Sequence, residues 1–222
     1  TPDLVLGQSD FSTGLPNGGA PAVSASSVLS PTWVSIQGDR LAVADGGNHR
    51  VLIWNSFPTQ SNQPADICLG QPTCTSAAAA ISRTGLRGPG GVVWMGDSLW
   101  IADTQNSRVL LFSPPLANGA AASLVLGQPD FISGAVNLGG LSASSMNTPR
   151  GVRVVGNKLL VADRSNNRVL IWNDIPTANG KAADVVVGQL DFVTSYSRPT
   201  RELMEVPMGM AVVQGRLYVS LG

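Results

Sequence analysis

One phrase occurs three times in the chain and restricts its fold more than any other feature of the sequence. Each copy is an apolar run that ends in Asp, then a short polar turn that contains Asn, then an Arg that opens a second apolar run. Because two short apolar runs joined by a polar turn are typical of a β-hairpin, the phrase predicts three equivalent hairpins. The copies are RLAVADGGNHRVLIWN (40–55), SLWIADTQNSRVLLFS (98–113) and KLLVADRSNNRVLIWN (158–173).

A second phrase defines the length of the repeating unit. Its glycine recurs about every 60 residues, and self-similarity at a fixed period is typical of solenoids and propellers rather than of ordinary globular domains. The copies are DLVLGQSDF (3–11), DICLGQPTC (66–74), SLVLGQPDF (123–131) and DVVVGQLDF (184–192).

Each unit contains four short apolar runs bounded by Gly, Asn, Asp or Pro, and we interpret them as strands. The runs are apolar at every position, as in residues 169–172, so both faces of each sheet must be covered. Four-stranded sheets packed face to face around an axis meet that requirement. The sequence therefore predicts an all-β fold, a β-propeller of four-stranded antiparallel blades.

The repeats predict about three and a half blades in a single domain over residues 1–222. In the last unit Leu221 stands where the other copies have Asp, and residues 3–8 are predicted to form the outer strand of a closing blade. Such an arc exposes apolar blade faces at both ends. We therefore expect further blades, or another chain, to complete a larger, six-bladed ring. The predicted blades are 31–71, 89–128, 149–189 and, in part, 207–222.

The repeated phrases resemble those of NHL-repeat β-propellers. VADRSNNRVLIWN, VADGGNHRVLIWN and IADTQNSRVLLF, with the preceding PRGVRVVG, carry the resemblance. The LVLGQPDF run and the SASS segment are similar to a bacterial branch of the family. The resemblance implies four-stranded blades, most often six to a ring, but no single activity. Relatives include protein-binding and RNA-binding modules, sensor domains, and a minority of metal-dependent lyases and hydrolases.

The spacing of Asp, Asn and Arg, which is the same in all three hairpins, has two interpretations. In one, a ring of carboxylates binds a metal or performs acid–base chemistry. In the other, which we favour, Asp ends one strand opposite the Arg that begins the next, and the two side chains pair, while Asn tolerates the left-handed turn. We therefore assign a structural role to Asp45, Asn48, Arg50, Asp103, Asn106, Arg108, Asp163, Asn166 and Arg168.

The sequence offers no catalytic residues and no metal site. His49 is the only histidine, and the other copies have Ser107 and Asn167 in its place, so we interpret it as an exposed turn residue. Zinc sites need several His or Cys ligands. The predicted innermost strands carry no Asp or Glu, which disfavours a calcium site at the axis. We predict that the chain needs no cofactor.

The long links between units are the predicted binding surface, because variable loops on a repeated frame usually carry function. The links are 12–30, 75–88, 132–148 and 193–206. For Arg153 the sequence leaves two readings open: it binds an anion at the axis, or it pairs with a carbonyl or acidic neighbour. The candidate binding residues are Trp33, Arg83, Arg87, Arg153 and Arg201.

Charge and cysteine content narrow the class of partner and compartment. Fourteen basic residues balance fourteen acidic ones, so no basic face for nucleic acid is expected, and no apolar run is long enough to span a membrane. Cys68 and Cys74 are either a disulfide formed in an oxidising compartment or two small apolar residues. The lysine-poor composition, rich in Ser, Thr, Gly and Asn, favours an exported protein, in the periplasm, on the cell surface or secreted, and the resemblance implies that it is bacterial.

Together these observations predict a non-enzymatic interaction or scaffold module. Its partner would be a protein or a glycan bound at the long-loop face, with a second copy or another chain as the alternative. The competing hypothesis is a calcium-dependent hydrolase or lyase with its site at the propeller axis.

Overall fold

The computed structural model describes residues 2–222 and is built from antiparallel β-sheets. Three sheets have four strands in the order of the sequence, and a fourth has two strands, so the fold is all-β as predicted. We call the sheets blades 1 to 4. Within the described residues the only helices are short 3-10 turns at Pro16–Gly19, Gly46–Asn48, Thr104–Asn106 and Arg164–Asn166.

The strands follow the sequence repeats closely. Blade 1 contains β1 (Pro31–Gln37), β2 (Arg40–Asp45), β3 (Arg50–Trp54) and β4 (Ile67–Leu69). Blade 2 contains β5 (Val92–Met95), β6 (Ser98–Asp103), β7 (Arg108–Phe112) and β8 (Leu124–Leu126). Blade 3 contains β9 (Val152–Val155), β10 (Lys158–Asp163), β11 (Arg168–Trp172) and β12 (Val185–Val187). Blade 4 contains β13 (Pro207–Val213) and β14 (Arg216–Leu221).

The repeated phrase forms the hairpin between the second and third strands of each complete blade. Asp45 and Arg50 are register partners at the end of the hairpin, as are the corresponding Asp and Arg of blades 2 and 3. A 3-10 turn joins the two strands and ends at a left-handed residue, with φ of 56° at His49, 49° at Ser107 and 55° at Asn167.

Most of the core lies between neighbouring blades, and a smaller cluster around Trp54 and Cys68 packs in blade 1 against the N-terminal segment. One cluster joins Val51 and Ile53 of blade 1 to Ile101 and Leu110 of blade 2. Equivalent clusters join blade 2 to blade 3 and blade 3 to blade 4. Because each interior blade packs against a neighbour on both faces, most of the apolar residues at alternating positions of its strands are buried.

Residues 3–8 form no strand, although Gly7 makes an isolated bridge with Ser27. The segment nevertheless lies on the loop that follows β3, where the carbonyl of Val5 accepts from the Asn62 N–H at 2.8 Å. In the same way the Val125 carbonyl of β8 accepts from the Gly180 N–H in blade 3 at 2.9 Å. The segment thus occupies the place of a preceding blade's outer strand, and its role in a closing blade remains a prediction.

The two ends of the arc expose apolar surface. Val34 and Ile36 on blade 1 are each 57% exposed, whereas their counterparts Val92 and Trp94 in blade 2 are buried. No helix in residues 2–222 has the length and apolar character that a membrane crossing needs.

Candidate functional site on the long-loop face

A buried ion pair closes the hairpin of every complete blade. The Arg Nε atom lies 2.8 Å from the Asp Oδ2 atom in the pairs Asp45–Arg50, Asp103–Arg108 and Asp163–Arg168. All six side chains are fully buried. An Asn amide of the same turn donates to the same carboxylate oxygen, for example Asn48 to Asp45 at 2.8 Å. We call these groups the Asp–Asn–Arg clamp of each blade.

The other carboxylate oxygen binds the long link that precedes the blade. Oδ1 of Asp45 accepts from the Leu29 N–H, and Oδ1 of Asp103 accepts from the Arg87 N–H, both at 2.7 Å. Asp163 accepts in the same way from Asn147. Because the link backbone is bound directly by the carboxylate, each clamp fixes one end of a long loop.

The guanidinium group binds the links on both sides of its blade. In blade 2, Arg108 donates to the carbonyls of Ser82 at 2.9 Å and Gly85 at 3.1 Å in the preceding link. It also donates to the Phe131 carbonyl, where the following link begins. Arg50 and Arg168 make the equivalent contacts in blades 1 and 3.

This geometry suits a structural role and not acid–base chemistry. Burial raises the pKa of Asp103 and of Asp163, while the neighbouring Arg and the hydrogen-bond donors oppose that rise. Both oxygens of each carboxylate are occupied by donors and closed to solvent. The three pairs lie in three different blades and do not converge on a common centre.

The glutamine of the LGQ phrase also binds the hairpin turn to the following link, a contact that the sequence analysis did not predict. The buried Gln128 amide donates to the carbonyls of Ser107 at 3.0 Å and Ala135 at 2.8 Å. Gln71 and Gln189 bridge the equivalent turn and link. The signal was present, because Gln follows Gly in every copy of the phrase.

The residue after the clamp asparagine also contacts the next blade. Nδ1 of His49 accepts from the Gly88 N–H at 3.1 Å, and Oδ1 of Asn167 accepts from the Val206 N–H at 2.9 Å. His49 is half-buried and not the exposed turn residue that the sequence suggested. Burial, together with the charge of Arg87, lowers the pKa of His49.

The candidate binding residues are spread over several surfaces. Arg83 lies in the second link, where its Nε donates to the Ala122 carbonyl at 2.7 Å and its guanidinium stacks on Phe131. The side chain of Arg87 is exposed in the same link. Trp33 instead packs between blades 1 and 2, and its ring reaches the backbone of Gly209 in blade 4.

The two remaining candidates lie elsewhere. Arg153 is exposed on β9, and its side chain makes no hydrogen bond or ion pair with any residue of 2–222, so the pairing of that side chain with a carbonyl or an acidic neighbour is not formed. Arg201 lines a groove between blade 3 and blade 4 with Met204 and Leu217. The five candidates therefore do not form one site, and their binding roles remain predictions.

Cys68 and Cys74 form a disulfide, with Cα atoms 5.4 Å apart, that ties β4 to the start of the second link. Among residues 2–222, no three His, Cys, Asp or Glu side chains are close enough to hold a metal ion together.

The family of the repeat is identified from the sequence of the third blade. Residues 146–172, which run from the end of a long link through the hairpin and its clamp, match the family model of the NHL repeat. This segment of the third blade is an NHL repeat. Blades 1 and 2 repeat the Asp–Arg and Asn–Asp contacts of blade 3. No curated protein matches the chain in sequence.

Several solved structures resemble the chain at low sequence identity. The glutaminyl cyclase of Myxococcus xanthus is 13% identical, with a TM-score of 0.48, over 87% of this chain and 68% of that one. The virginiamycin B lyase of Staphylococcus aureus is 11% identical, with a TM-score of 0.47, over 86% of this chain and 48% of that one. A chain of a nidogen/laminin complex is 13% identical, with a TM-score of 0.47, over 87% and 56%. The chain thus spans about half the length of the last two, and such similarity carries no information about activity.

Proposed function

We propose that this NHL-repeat arc is a non-enzymatic interaction module that binds a protein partner through its long-loop face. The supporting observation is that each long link, or the segment that leads into it, displays large apolar side chains to solvent. Ile132 is 78% exposed and Val193 is 65% exposed. The others are Phe11, Leu15, Ile81, Val136, Leu138, Leu190 and Tyr196.

The clamps explain how such side chains stay on the surface. Because carboxylate, guanidinium and glutamine groups fix the link backbones, the apolar residues are presented on an ordered frame. Apolar side chains on ordered loops are typical of protein-binding surfaces, where a few large residues supply most of the affinity. A glycan partner would favour exposed aromatic and polar groups, and the aliphatic character of the third link argues for a protein.

The test compares matched surface variants with one partner. The partner is isolated on immobilised wild-type protein, purified, and titrated against each variant. Ile132→Ser with Val136→Ser removes apolar surface from the third link, and Phe57→Ser removes an exposed ring from the loop after β3, at the opposite end of the blades. We expect the double variant to weaken binding about tenfold or more, and Phe57→Ser to leave it unchanged. A larger loss of binding in Phe57→Ser than in the double variant would contradict the proposal. Calcium-dependent turnover of the captured molecule would contradict it as well.

We also propose that the protein works outside the cytoplasm. The Cys68–Cys74 disulfide supports this, because such bonds persist in oxidising compartments. Thiol labelling of intact cells, followed by denaturation, is expected to leave both cysteines unlabelled until a reductant is added. Labelling without a reductant would place the protein in a reducing compartment.

A further inference from the structure

A cavity of about 330 Å³ opens on the long-loop face between blades 1 and 2. Its walls include Gly46 and Gly47 of the first hairpin turn, and Gly88 and Gly90 of the following link. At the corresponding four positions the interface of blades 2 and 3 carries Thr104, Gln105, Thr148 and Arg150, and that of blades 3 and 4 carries Arg164, Ser165, Val206 and Met208. Because these four positions carry no side chain, Gln105 lies against Gly88, and Thr104 and Arg150 lie against Gly90, whereas the other two interfaces carry side chains at the same positions.

The nitrogen-bearing side chains around this cavity are hydrogen-bond donors, and the hydroxyls of Thr32 and Thr104 in its wall already donate to backbone carbonyls. His49 lines it, and because its Nδ1 accepts from the Gly88 N–H, the imidazole proton is assigned to Nε2. Arg150 and Gln105 also line it, and neither side chain makes a hydrogen bond or ion pair with another residue of 2–222. Three groups able to donate thus border one space.

The charge around the cavity is positive. Arg87 is near enough to His49 to lower its pKa, and Asp45 is the carboxylate that acts on the same imidazole. Asp45 is neutralised by Arg50 and is bound by Asn48 and the Leu29 N–H. Arg150 is half-buried and lines the same cavity as His49, and the cavity wall contains no free carboxylate to pair with it, which favours an anion.

We propose that this cavity binds a small oxyanion, a carboxylate or phosphate group, held by Arg150 with the Nε2–H of His49 and the amide of Gln105. The planar guanidinium presents paired donors that match such groups. The volume is suited to a small molecule and not to a polymer. The inference does not depend on the protein partner proposed above.

The only histidine of the chain provides a direct probe. The imidazole resonances of His49 are followed by NMR while inorganic phosphate is added in one arm and succinate in the other, at constant ionic strength. A saturable shift, with a rise in the pKa of His49 on binding, is expected in at least one arm, and the stronger arm identifies the preferred group. No saturable shift in either arm would overturn the proposal.

Matched variants distinguish binding at the cavity from non-specific attraction of anions to positive charge on this face. Arg150→Met introduces the residue found at this position in blade 4, and we expect about tenfold weaker binding, the loss of one charged hydrogen-bonding group. Arg164→Thr removes the same charge from the same face outside the cavity and is expected to bind as the wild type does. Gln105→Ala, at an exposed position, is a second test and is expected to weaken anion binding by a smaller factor. Equal weakening by the two arginine variants would overturn the proposal, and thermal unfolding verifies that each variant is folded.

Discussion

Arg108 shows why a buried charged pair occurs at the end of the hairpin in each complete blade. Its guanidinium group satisfies one carboxylate oxygen and three backbone carbonyls, so it joins a hairpin to two loops that are far apart in sequence. An apolar residue of similar volume would fill the space and leave those carbonyls without donors. Such buried, unpaired acceptors are costly.

Arg108→Met is therefore expected to lower the free energy of unfolding by about 3–5 kcal/mol, because Asp103 would remain buried and charged without its partner. Denaturant unfolding followed by tryptophan fluorescence measures the change. Arg153→Met, an exposed arginine without partners on the next blade, is the control and is expected to change stability by less than about 0.5 kcal/mol. A loss below about 1 kcal/mol for Arg108→Met would show that the clamp is not structural.

A second residue-level prediction concerns pH. The pKa of His49 is lower in the folded chain than in the unfolded one, so its contribution to stability is present above the unfolded pKa and is lost as pH falls through the folded pKa. Protonation of Nδ1 would remove the acceptor of the Gly88 N–H. The stability of the wild type is thus expected to fall more than that of His49→Asn between about pH 7 and pH 5.

His49→Asn is a suitable reference because Asn167 occupies the equivalent left-handed position and keeps an acceptor there. Urea unfolding across that pH range measures the stability of both proteins. If both lost stability equally, His49 would not be the cause of the pH dependence.

At the scale of elements, the hairpins were predictable and the links were not. Two apolar runs and a fixed Asp-to-Arg spacing determine strands, turn and register together, so residues 40–54 could be placed from sequence. The link conformations depend on carbonyls that bind Arg108 or Gln128, contacts between residues that no local pattern relates. Gln128 was missed for that reason, although its repetition was visible.

The disulfide at the end of blade 1 replaces apolar contacts that the other blades make. Where blade 1 has Cys68 and Cys74, blade 2 has Val125 and Phe131. We expect reduction of the wild type to cost about 2 kcal/mol, the value for a short closed loop. Cys68→Val with Cys74→Phe is expected to remain folded and to be insensitive to reductant. Thermal unfolding with and without dithiothreitol measures both, and an unchanged wild type under reduction would contradict the expectation.

For the molecule as a whole, the ends of the arc differ from its interior. Val34 and Ile36 at one end, and Val213 and Tyr218 at the other, are each more than half exposed although they lie on strands. Interfaces between blades always bring two such apolar faces together. We propose that further blades or a second copy cover these ends, with residues 3–8 forming the outer strand of the closing blade.

The chain 1–222 alone is accordingly expected to associate as its concentration rises, because exposed apolar blade faces are complementary to one another. Val34→Thr with Ile36→Thr keeps the β-branched shape and is expected to reduce association in sedimentation velocity experiments. A wild type that stays monomeric at all accessible concentrations would contradict this prediction.

Each clamp holds its own blade to its two flanking links. Amide hydrogen exchange of the wild type and Arg108→Met, read by mass spectrometry, tests it most directly. Faster exchange is expected in residues 80–87 and 129–135, whose backbones are bound by Arg108 and its blade, while residues 158–172 of the next blade are expected to be unchanged. Uniformly faster exchange along the chain, or no change in the two links, would contradict it.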